Sequence, residues 1–235
     1  ATGTIKNMVT RCAGLLSDTY EQIRKKMAAL GLIHCDETGT RADGKTWWVH
    51  NASDSLFTFL SINRKRGWLG MNDAGILPEF RGIVVHDCWG SYWKYTDCIH
   101  AVCCAHLLRE LNGIEENHPE QTWVKEFKEL LLEMKKVKDK AVEQEKEAVS
   151  YYHLHKYDKR YDEIIKKAYE ENPLPESTGK KRGRKKKTKV LNLVSRLENY
   201  KESVCLFIKN LCVPFDNNLA ERDLRIIKVK TKVSG

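Results

Sequence analysis

Two aspartates occupy positions in the chain where a carboxylate is unusual. Asp36 lies inside the apolar stretch "LIHCDET", and Asp87 directly follows the apolar run "GIVVH". A carboxylate in or at the end of a buried strand is costly unless it is paired, hydrogen-bonded or bound to a metal ion. The pattern indicates a site, but a structural use stays open: Asp87 could cap a following helix, and Asp36 or Glu37 could lie at a sheet edge.

A third carboxylate, Glu221, lies in the polar stretch "VPFDNNLAERDLR" near the end of the chain. Asn218 and Glu221 have the spacing of a capping box, which would be a purely structural arrangement. The helix predicted here also has two distinct faces. One is apolar and would dock on a sheet (Ala220, Leu224 and Ile227), and the other combines an acid, an amide and two cations (Asn217, Glu221, Arg225 and Lys228).

Carboxylates brought together from two strands and a helix could carry out phosphoryl transfer. Such a site holds two divalent cations roughly 4 Å apart, one activating the attacking oxygen and the other stabilising the leaving oxygen. Mg²⁺ prefers oxygen ligands and completes its shell with water and substrate phosphate. The three acids therefore predict a two-metal site that acts on a phosphodiester.

The net charge of +9 comes from one segment. Eight of the ten residues from Lys180 to Lys189 ("KKRGRKKKTK") are basic and none is acidic. A flexible run of this kind suits a nucleic-acid backbone, because binding releases condensed counterions. A solvated linker is the alternative. The basic side chains concerned are Lys180, Lys181, Arg182, Arg184, Lys185, Lys186, Lys187 and Lys189.

The remaining composition is that of a globular protein, with 41% hydrophobic residues in 235. No run of 18 apolar residues and no secretory pattern occurs, so we expect a soluble, cytoplasmic protein without a membrane partner. The eight cysteines are then expected to be reduced. Because the chain does not begin with Met, we expect it to be a piece of a longer protein.

The periodicity predicts an α/β core with helices around it. One long amphipathic helix is expected from Ile5 to Leu30, followed by an antiparallel meander of three strands (32–38, 46–52 and 56–63). Further strands are expected at 81–87 and 98–104, then a helical hairpin with stripes from Trp123 to Val137 and from Tyr157 to Tyr169. We divide the chain into an N-terminal helix (1–31), a first core part (32–106), a helical insertion with the basic loop (107–189) and C-terminal core helices (190–235).

The motifs that hold the three acids occur in the order seen in one known family. "HCDET", "VVHDCWGSY", "CCAH" at Cys103 to His106 and "DNNLAERDLR" together resemble the bacterial DDE transposases of the insertion-sequence-sixty-six family. The resemblance runs from about Leu32 onward, and the last motif is the most specific.

The resemblance implies an RNase H-like, retroviral-integrase-like fold: a mixed sheet flanked by helices, with a mostly α-helical insertion. It implies Asp36, Asp87 and Glu221 as catalytic residues that hold two Mg²⁺ or Mn²⁺ ions. The activity implied is cleavage at transposon ends and transfer of the 3′-OH to target DNA. The partner would be double-stranded DNA, with a homo-oligomer assembled on it.

Other residues receive supporting roles from the same resemblance. Arg222 and Arg225 would contact DNA phosphate or tie the helix to the sheet, and Asn217 and Asn218 would support the metal site. Cys103 and His106 would brace it or touch DNA, with simple packing as the alternative for His106. A zinc site in the cluster of Cys98, His100, Cys103, Cys104 and His106 is a weaker alternative because the spacing is compressed. Four tryptophans, Trp47, Trp48, Trp89 and Trp93, could stack on bases, although core packing is the simpler use.

Two other classes of protein fit the same residues. A non-catalytic DNA-binding protein derived from a transposase would keep the basic loop and need no metal ion. An RNase H-like nuclease would keep the triad but would not join strands.

Overall fold

The computed structural model describes residues 2–173 and 187–233, with side chains up to residue 229. The chain forms two compact units. The first unit consists of Ala1–His100 and Asn217–Gly235, and the second of Ala101–Asp216.

The first unit begins with two helices instead of the one long helix predicted. They are α1 (Thr2–Leu15) and α2 (Ser17–Ala28). The Ser17 hydroxyl donates to the Gly14 carbonyl oxygen at 2.9 Å, and a Gly/Ser pair is a common cause of such a break. Apolar periodicity cannot detect the break, because it continues through it. The apolar residues of α1 are exposed, whereas Met27 of α2 is fully buried.

Three strands form the predicted antiparallel meander. They are β1 (Leu32–Ala42), β2 (Lys45–Ser53) and β3 (Thr58–Asn63). The pairing of β1 with β2 runs without a bulge from His34 opposite Ser53 to Ala42 opposite Lys45. The tight turn between them is Asp43-Gly44, both with positive φ, as the Asp-Gly sequence predicts.

The rest of the first unit adds α3 (Trp68–Asp73), β4 (Ile83–His86), a 3₁₀ turn (Tyr92–Lys94), β5 (Ile99–Val102) and α10 (Asn218–Val233). Strand β4 is parallel to β1. The sheet is therefore mixed, with the order β3-β2-β1-β4-β5. The division between the two units falls inside β5.

The two faces of this sheet have different coverings. One face carries the apolar core, which includes Ile33, Cys35 and Val84 and the fully buried Met27 and Phe80. Helix α10 packs against β1 and β2 on the other face. Because side chains alternate along a strand, neighbouring residues of β1 point to opposite faces of the sheet. Asp36 and Glu37 therefore cannot belong to the same side-chain cluster.

The second unit is helical. Its helices are α4 (Cys104–Asn117), α5 (Thr122–Glu143), α6 (Tyr151–Glu171), α7 (Lys189–Asn199), α8 (Lys201–Val204) and α9 (Leu206–Lys209). Helices α5 and α6 form the predicted hairpin, with Trp123, Phe127 and Tyr161 fully buried between helices. The Tyr161 hydroxyl donates to the Leu197 carbonyl oxygen at 2.7 Å and ties α6 to α7. Within the described residues, no helix has both the length and the apolar character needed to cross a membrane.

Candidate active site

The register of the parallel strands, continued past their last paired residues, relates the positions of Asp36 and Asp87. Leu32 lies beside Ile83 and His34 beside Val85, so each β1 residue pairs with the residue 51 positions further along the chain. The same offset relates Asp36 to Asp87, which follows the last residue of β4. Neighbouring strands are about 4.8 Å apart, and residues in parallel register point to the same face. Both aspartates are half-buried.

Backbone N–H groups orient both aspartates. The Glu37 N–H donates to Asp36 Oδ1 at 2.8 Å, and the Trp89 N–H donates to Asp87 Oδ1 at 3.0 Å. The second bond closes an Asx turn. The 3₁₀ turn that follows begins at Tyr92 with Ser91 before it, so Asp87 does not cap it. Cys88, which lies between Asp87 and Trp89, has a φ of 68°, a conformation that costs a non-glycine residue about 1 kcal/mol or more. The chain therefore makes a strained, defined turn at Asp87.

Two buried asparagines fix α10 to the sheet beside Asp36. Asn217, just before α10, is fully buried; its Oδ1 lies 2.9 Å from His34 Nδ1, and its Nδ2 donates to the Cys35 carbonyl oxygen at 2.8 Å. Asn51, opposite Asp36 in the β1–β2 pairing, donates to the Ala220 carbonyl oxygen at 3.3 Å. The two Asn217 bonds join the start of α10 to β1, and the Asn51 bond joins α10 to β2.

Glu221 lies in the first turn of α10, directly after the anchored Ala220. Its N–H donates to the Asn217 carbonyl oxygen at 3.2 Å, and its side chain is half-buried. Of the three residues of the predicted docking face, Ala220 and Leu224 are buried and Ile227 is half-buried. The helix begins at Asn218, so the residue at the capping position is Asn217. The capping box predicted from the sequence placed the cap one position later, at Asn218. The helix thus carries Glu221 to the face of the sheet that bears Asp36.

Glu37 takes part in a separate network on the opposite face. Its carboxylate is fully buried and accepts hydrogen bonds from Arg66 Nε (3.0 Å), Arg66 Nη2 (2.8 Å) and the Tyr92 hydroxyl (2.9 Å). The Arg66 guanidinium lies against the rings of Trp48 and Trp89, 5.0 and 4.2 Å from their centroids. This network fixes the turn after Asp87 to the strand that bears Asp36.

The electrostatics place several acidic groups near one another. Burial, together with the negative charge of Asp87, raises the pKa of Glu37 to about 7, although Arg66 and Tyr92 oppose the shift. Burial raises the pKa of Tyr92 far above its usual range, and the charges of Glu37, Asp87 and Asp36 add to the shift. An accumulation of negative charge in one place is what a divalent cation neutralises.

A chain of hydrogen bonds holds the two histidines of the β4–β5 region. The Cys88 N–H donates to His86 Nδ1 at 3.0 Å, so His86 Nε2 is the protonated nitrogen and donates to His100 Nδ1 at 3.0 Å. His100 Nε2 in turn donates to the Tyr95 carbonyl oxygen at 2.8 Å. Burial lowers the pKa of both histidines. They are neutral structural residues that support the turn carrying Asp87.

Two of the cysteines considered for zinc, Cys98 and Cys104, have buried, protein-bound surroundings. Cys98 lies 3.4 Å from the Tyr95 carbonyl oxygen, and burial raises the pKa of its thiol to about 11. Burial also raises the pKa of Cys104 well above the usual range. Both are protonated thiols. In the second unit, Cys103 is buried directly before α4, and its sulfur lies 3.2 Å from His106 Nδ1.

The predicted DNA-contacting cations are only partly described. Lys180, Lys181, Arg182, Arg184, Lys185 and Lys186 lie outside the described residues. Lys187 donates to the Ser195 hydroxyl at 2.6 Å, and Lys189 is exposed at the start of α7. Arg222 and Arg225 are exposed on α10, Arg222 with its Nε 3.4 Å from Asp223 Oδ1. Asn218 is exposed at the beginning of that helix.

Sequence reasoning missed the roles of Glu37, Arg66, Tyr92 and Asn51. One signal was available for Glu37. Consecutive acids on a strand point to opposite faces, so Glu37 could not join Asp36 and needed its own partner. The cluster Arg64-Lys65-Arg66 at the end of β3 offered the cation. Nothing local marked Tyr92 or Asn51, because their partners lie far away in the chain.

The three predicted ligands are carboxylates of a type that suits a hard divalent cation, and all three are half-buried. Within the described residues, Asp36, Asp87 and Glu221 do not form a group whose ligand atoms all lie within 4.8 Å of one another. Oxygen ligands of this type, with room for water, are what Mg²⁺ and Mn²⁺ prefer. Asp36, Asp87 and Glu221 therefore fit the predicted ions chemically.

Comparison with known proteins assigns the chain to a class. A family model of transposases matches the chain from residue 1 to residue 235. That family is the transposase IS66 family, and the chain belongs to it. No curated protein and no solved structure matches significantly.

Proposed function

We propose that this chain is the catalytic core of a DDE transposase that cleaves DNA at transposon ends and transfers the exposed 3′-OH to target DNA. The observation that carries the proposal is the parallel pairing of β1 with β4 up to His34 beside Val85, whose offset, continued by two residues, relates Asp36 to Asp87. Asn217 and Asn51 fix α10 to the sheet beside this pair of strands. We further propose an RNase H-like fold for the first unit. The strand order β3-β2-β1-β4-β5, antiparallel from β3 to β1 and parallel from β1 to β4, supports it.

In this proposal Asp36, Asp87 and Glu221 are the metal ligands. A pair of Mg²⁺ or Mn²⁺ ions, when bound, would activate the attacking oxygen and stabilise the leaving oxygen of an in-line displacement. Backbone N–H groups hold one oxygen of each aspartate, which limits the rotation of both side chains. A ligand whose orientation is fixed in advance loses less entropy when it binds.

The cations around the triad have a separate role in the proposal. Arg222 and Arg225 follow Glu221 on α10 and would hold the phosphates of double-stranded DNA, since a guanidinium binds phosphate through two parallel hydrogen bonds. Lys187, Lys189 and the basic side chains before them would add contacts to the backbone. We propose that the chain assembles as a homo-oligomer on DNA.

Replacing Asp87 tests the catalytic assignment. We expect Asp87→Asn to abolish Mg²⁺-dependent cleavage and strand transfer on a labelled transposon-end duplex, while DNA binding persists. The amide keeps the shape and the acceptor oxygen for Trp89 but removes the charge. Asp43→Asn is the matched control: the same change in the same unit, at a hairpin turn whose positive φ asparagine also adopts. Full strand transfer by Asp87→Asn would refute the assignment.

The two alternative functions are separated by other measurements. A DNA-binding protein without activity would show no heat of Mn²⁺ binding in calorimetry with DNA present. A nuclease of the RNase H-like class would cleave its substrate without producing joined strands. Sequencing gel analysis of the products distinguishes that outcome from transposition.

A further inference from the structure

Four tryptophan rings of the first unit lie against cations. Arg64 lies 4.9 Å from the centroid of Trp47, Arg66 covers Trp48 and Trp89, and Lys94 lies 5.3 Å from the Trp68 ring. The cations come from the segment after β3 and from the 3₁₀ turn after β4. Sequence analysis singled out three of these rings but left their use open.

The cations of this group differ in their carboxylate partners. Arg66 is neutralised by the buried Glu37. Among the described residues, Arg64, Lys65 and Lys94 form no ion pair, and all three are exposed. Lysines on the helices of the second unit behave differently: the half-buried Lys135 and the exposed Lys159 and Lys166 each have an acidic residue four positions later within 4.0 Å. No acidic side chain in the described part of the chain pairs with Arg64, Lys65 or Lys94, so their positive charges are available to a ligand.

The rings make these cations better ligands for phosphate. An indole face attracts a guanidinium or ammonium by about 0.5–1 kcal/mol at an exposed site and restricts its side chain. The planar edge of Arg64 then remains directed to solvent, where it can bind two phosphate oxygens. Less rotamer entropy is lost on binding when the side chain is already held.

We propose that Arg64, Lys65 and Lys94, supported by Trp47 and Trp68, form a surface that binds the phosphodiester backbone of DNA. This inference rests on the proposed function, which supplies the substrate. We call Arg64, Lys65 and Lys94 the unit-1 basic surface.

The test compares two triple variants of the full chain. One replaces Arg64, Lys65 and Lys94 by Ala. The control replaces Lys136, Lys159 and Lys166 by Ala, which removes the same charge from exposed helical positions of the second unit. Fluorescence anisotropy with a labelled duplex, in buffer containing EDTA, measures affinity between about 50 and 200 mM salt. Circular dichroism verifies that both variants are folded.

We expect the first variant to lose about tenfold or more in affinity and its plot of log K against log salt to flatten by about 2 to 3, one phosphate contact per cation removed. The control is expected to change affinity by less than about threefold, since only long-range charge is lost. Equal losses in the two variants would overturn the proposal, because they would show an effect of net charge alone. So would an unchanged salt slope in the first variant.

A duplex with unpaired bases at its end tests whether the surface contacts bases as well as phosphates. A larger loss on that substrate than on the duplex indicates that Trp68, which is 39% exposed, also stacks on a base. Equal losses on both indicate phosphate contact alone; either supports the surface. Because EDTA removes divalent cations, these results do not depend on the triad. If Asp87→Asn loses catalysis but the triple variant of Arg64, Lys65 and Lys94 binds DNA as tightly as the parent chain, the inference is refuted and the proposed function stands.

Discussion

Asn217 is the residue whose replacement tests the architecture of the site most directly. Asn217→Ala removes two buried hydrogen bonds, one with His34 Nδ1 and one to the Cys35 carbonyl oxygen. Leaving a buried polar group without such a bond costs about 1–3 kcal/mol. Both partners are buried, so the expected loss is roughly 2–5 kcal/mol. That is a large part of the 5–15 kcal/mol that typically stabilises a domain.

Urea unfolding followed by tryptophan fluorescence measures this loss in the right part of the chain. Five of the six tryptophans lie in the first unit, and only Trp123 lies in the second. Asn112→Ala is the matched control, because Asn112 is exposed on α4 and its replacement is expected to change stability by no more than about 0.5 kcal/mol.

A second measurement links Asn217 to the candidate metal ligands. Asn217 fixes the start of α10, so its loss should displace Glu221 and weaken Mn²⁺ binding by about 10- to 100-fold, measured by electron paramagnetic resonance. Our reasoning is refuted if Asn217→Ala unfolds within about 0.5 kcal/mol of the parent chain.

Two further predictions concern Glu37 and the glycines. Burial raises the pKa of Glu37 to about 7, so folded Glu37 binds a proton that the unfolded chain releases above its ordinary pKa of 4.5. Its protonation therefore stabilises the fold at low pH, and this contribution falls by about 3 kcal/mol as pH rises from about 4.5 to 7. Glu37→Gln should remove that dependence in metal-free urea titrations; an unchanged difference between pH 5 and pH 8 would contradict it. Gly82→Ala should destabilise the first unit by about 1–3 kcal/mol, because a Cβ would lie 2.5 Å from the Gly31 carbonyl oxygen and 2.7 Å from that of Leu30. Gly113→Ala on α4 has open space and should stabilise by about 1 kcal/mol, measured by circular dichroism; equal effects of the two changes would contradict both.

Local pattern was sufficient for much of the secondary structure. Alternation and the Asp43-Gly44 turn predicted the β1–β2 hairpin, and the three- and four-residue spacing predicted the hairpin of α5 and α6. The one long N-terminal helix was wrong, because apolar spacing continues across Leu16 while the backbone breaks there. The roles of Asp36, Asp87 and Glu221 stay predictions.

The sequence by itself determined the types of groups available: three carboxylates in strand-end and helix-start contexts, a local excess of positive charge and the motifs of the transposase IS66 family. Only the tertiary structure decided which groups meet. β1 pairs with β4 in parallel, and Asn217 fixes a helix to a strand that lies 182 residues earlier in the chain. Strand alternation directs Asp36 and Glu37 to opposite faces of the sheet, and Glu37 accepts hydrogen bonds from Arg66 and Tyr92. The physical reason is that hydrogen bonds and burial act through space, whereas periodicity reports only on near neighbours in the chain.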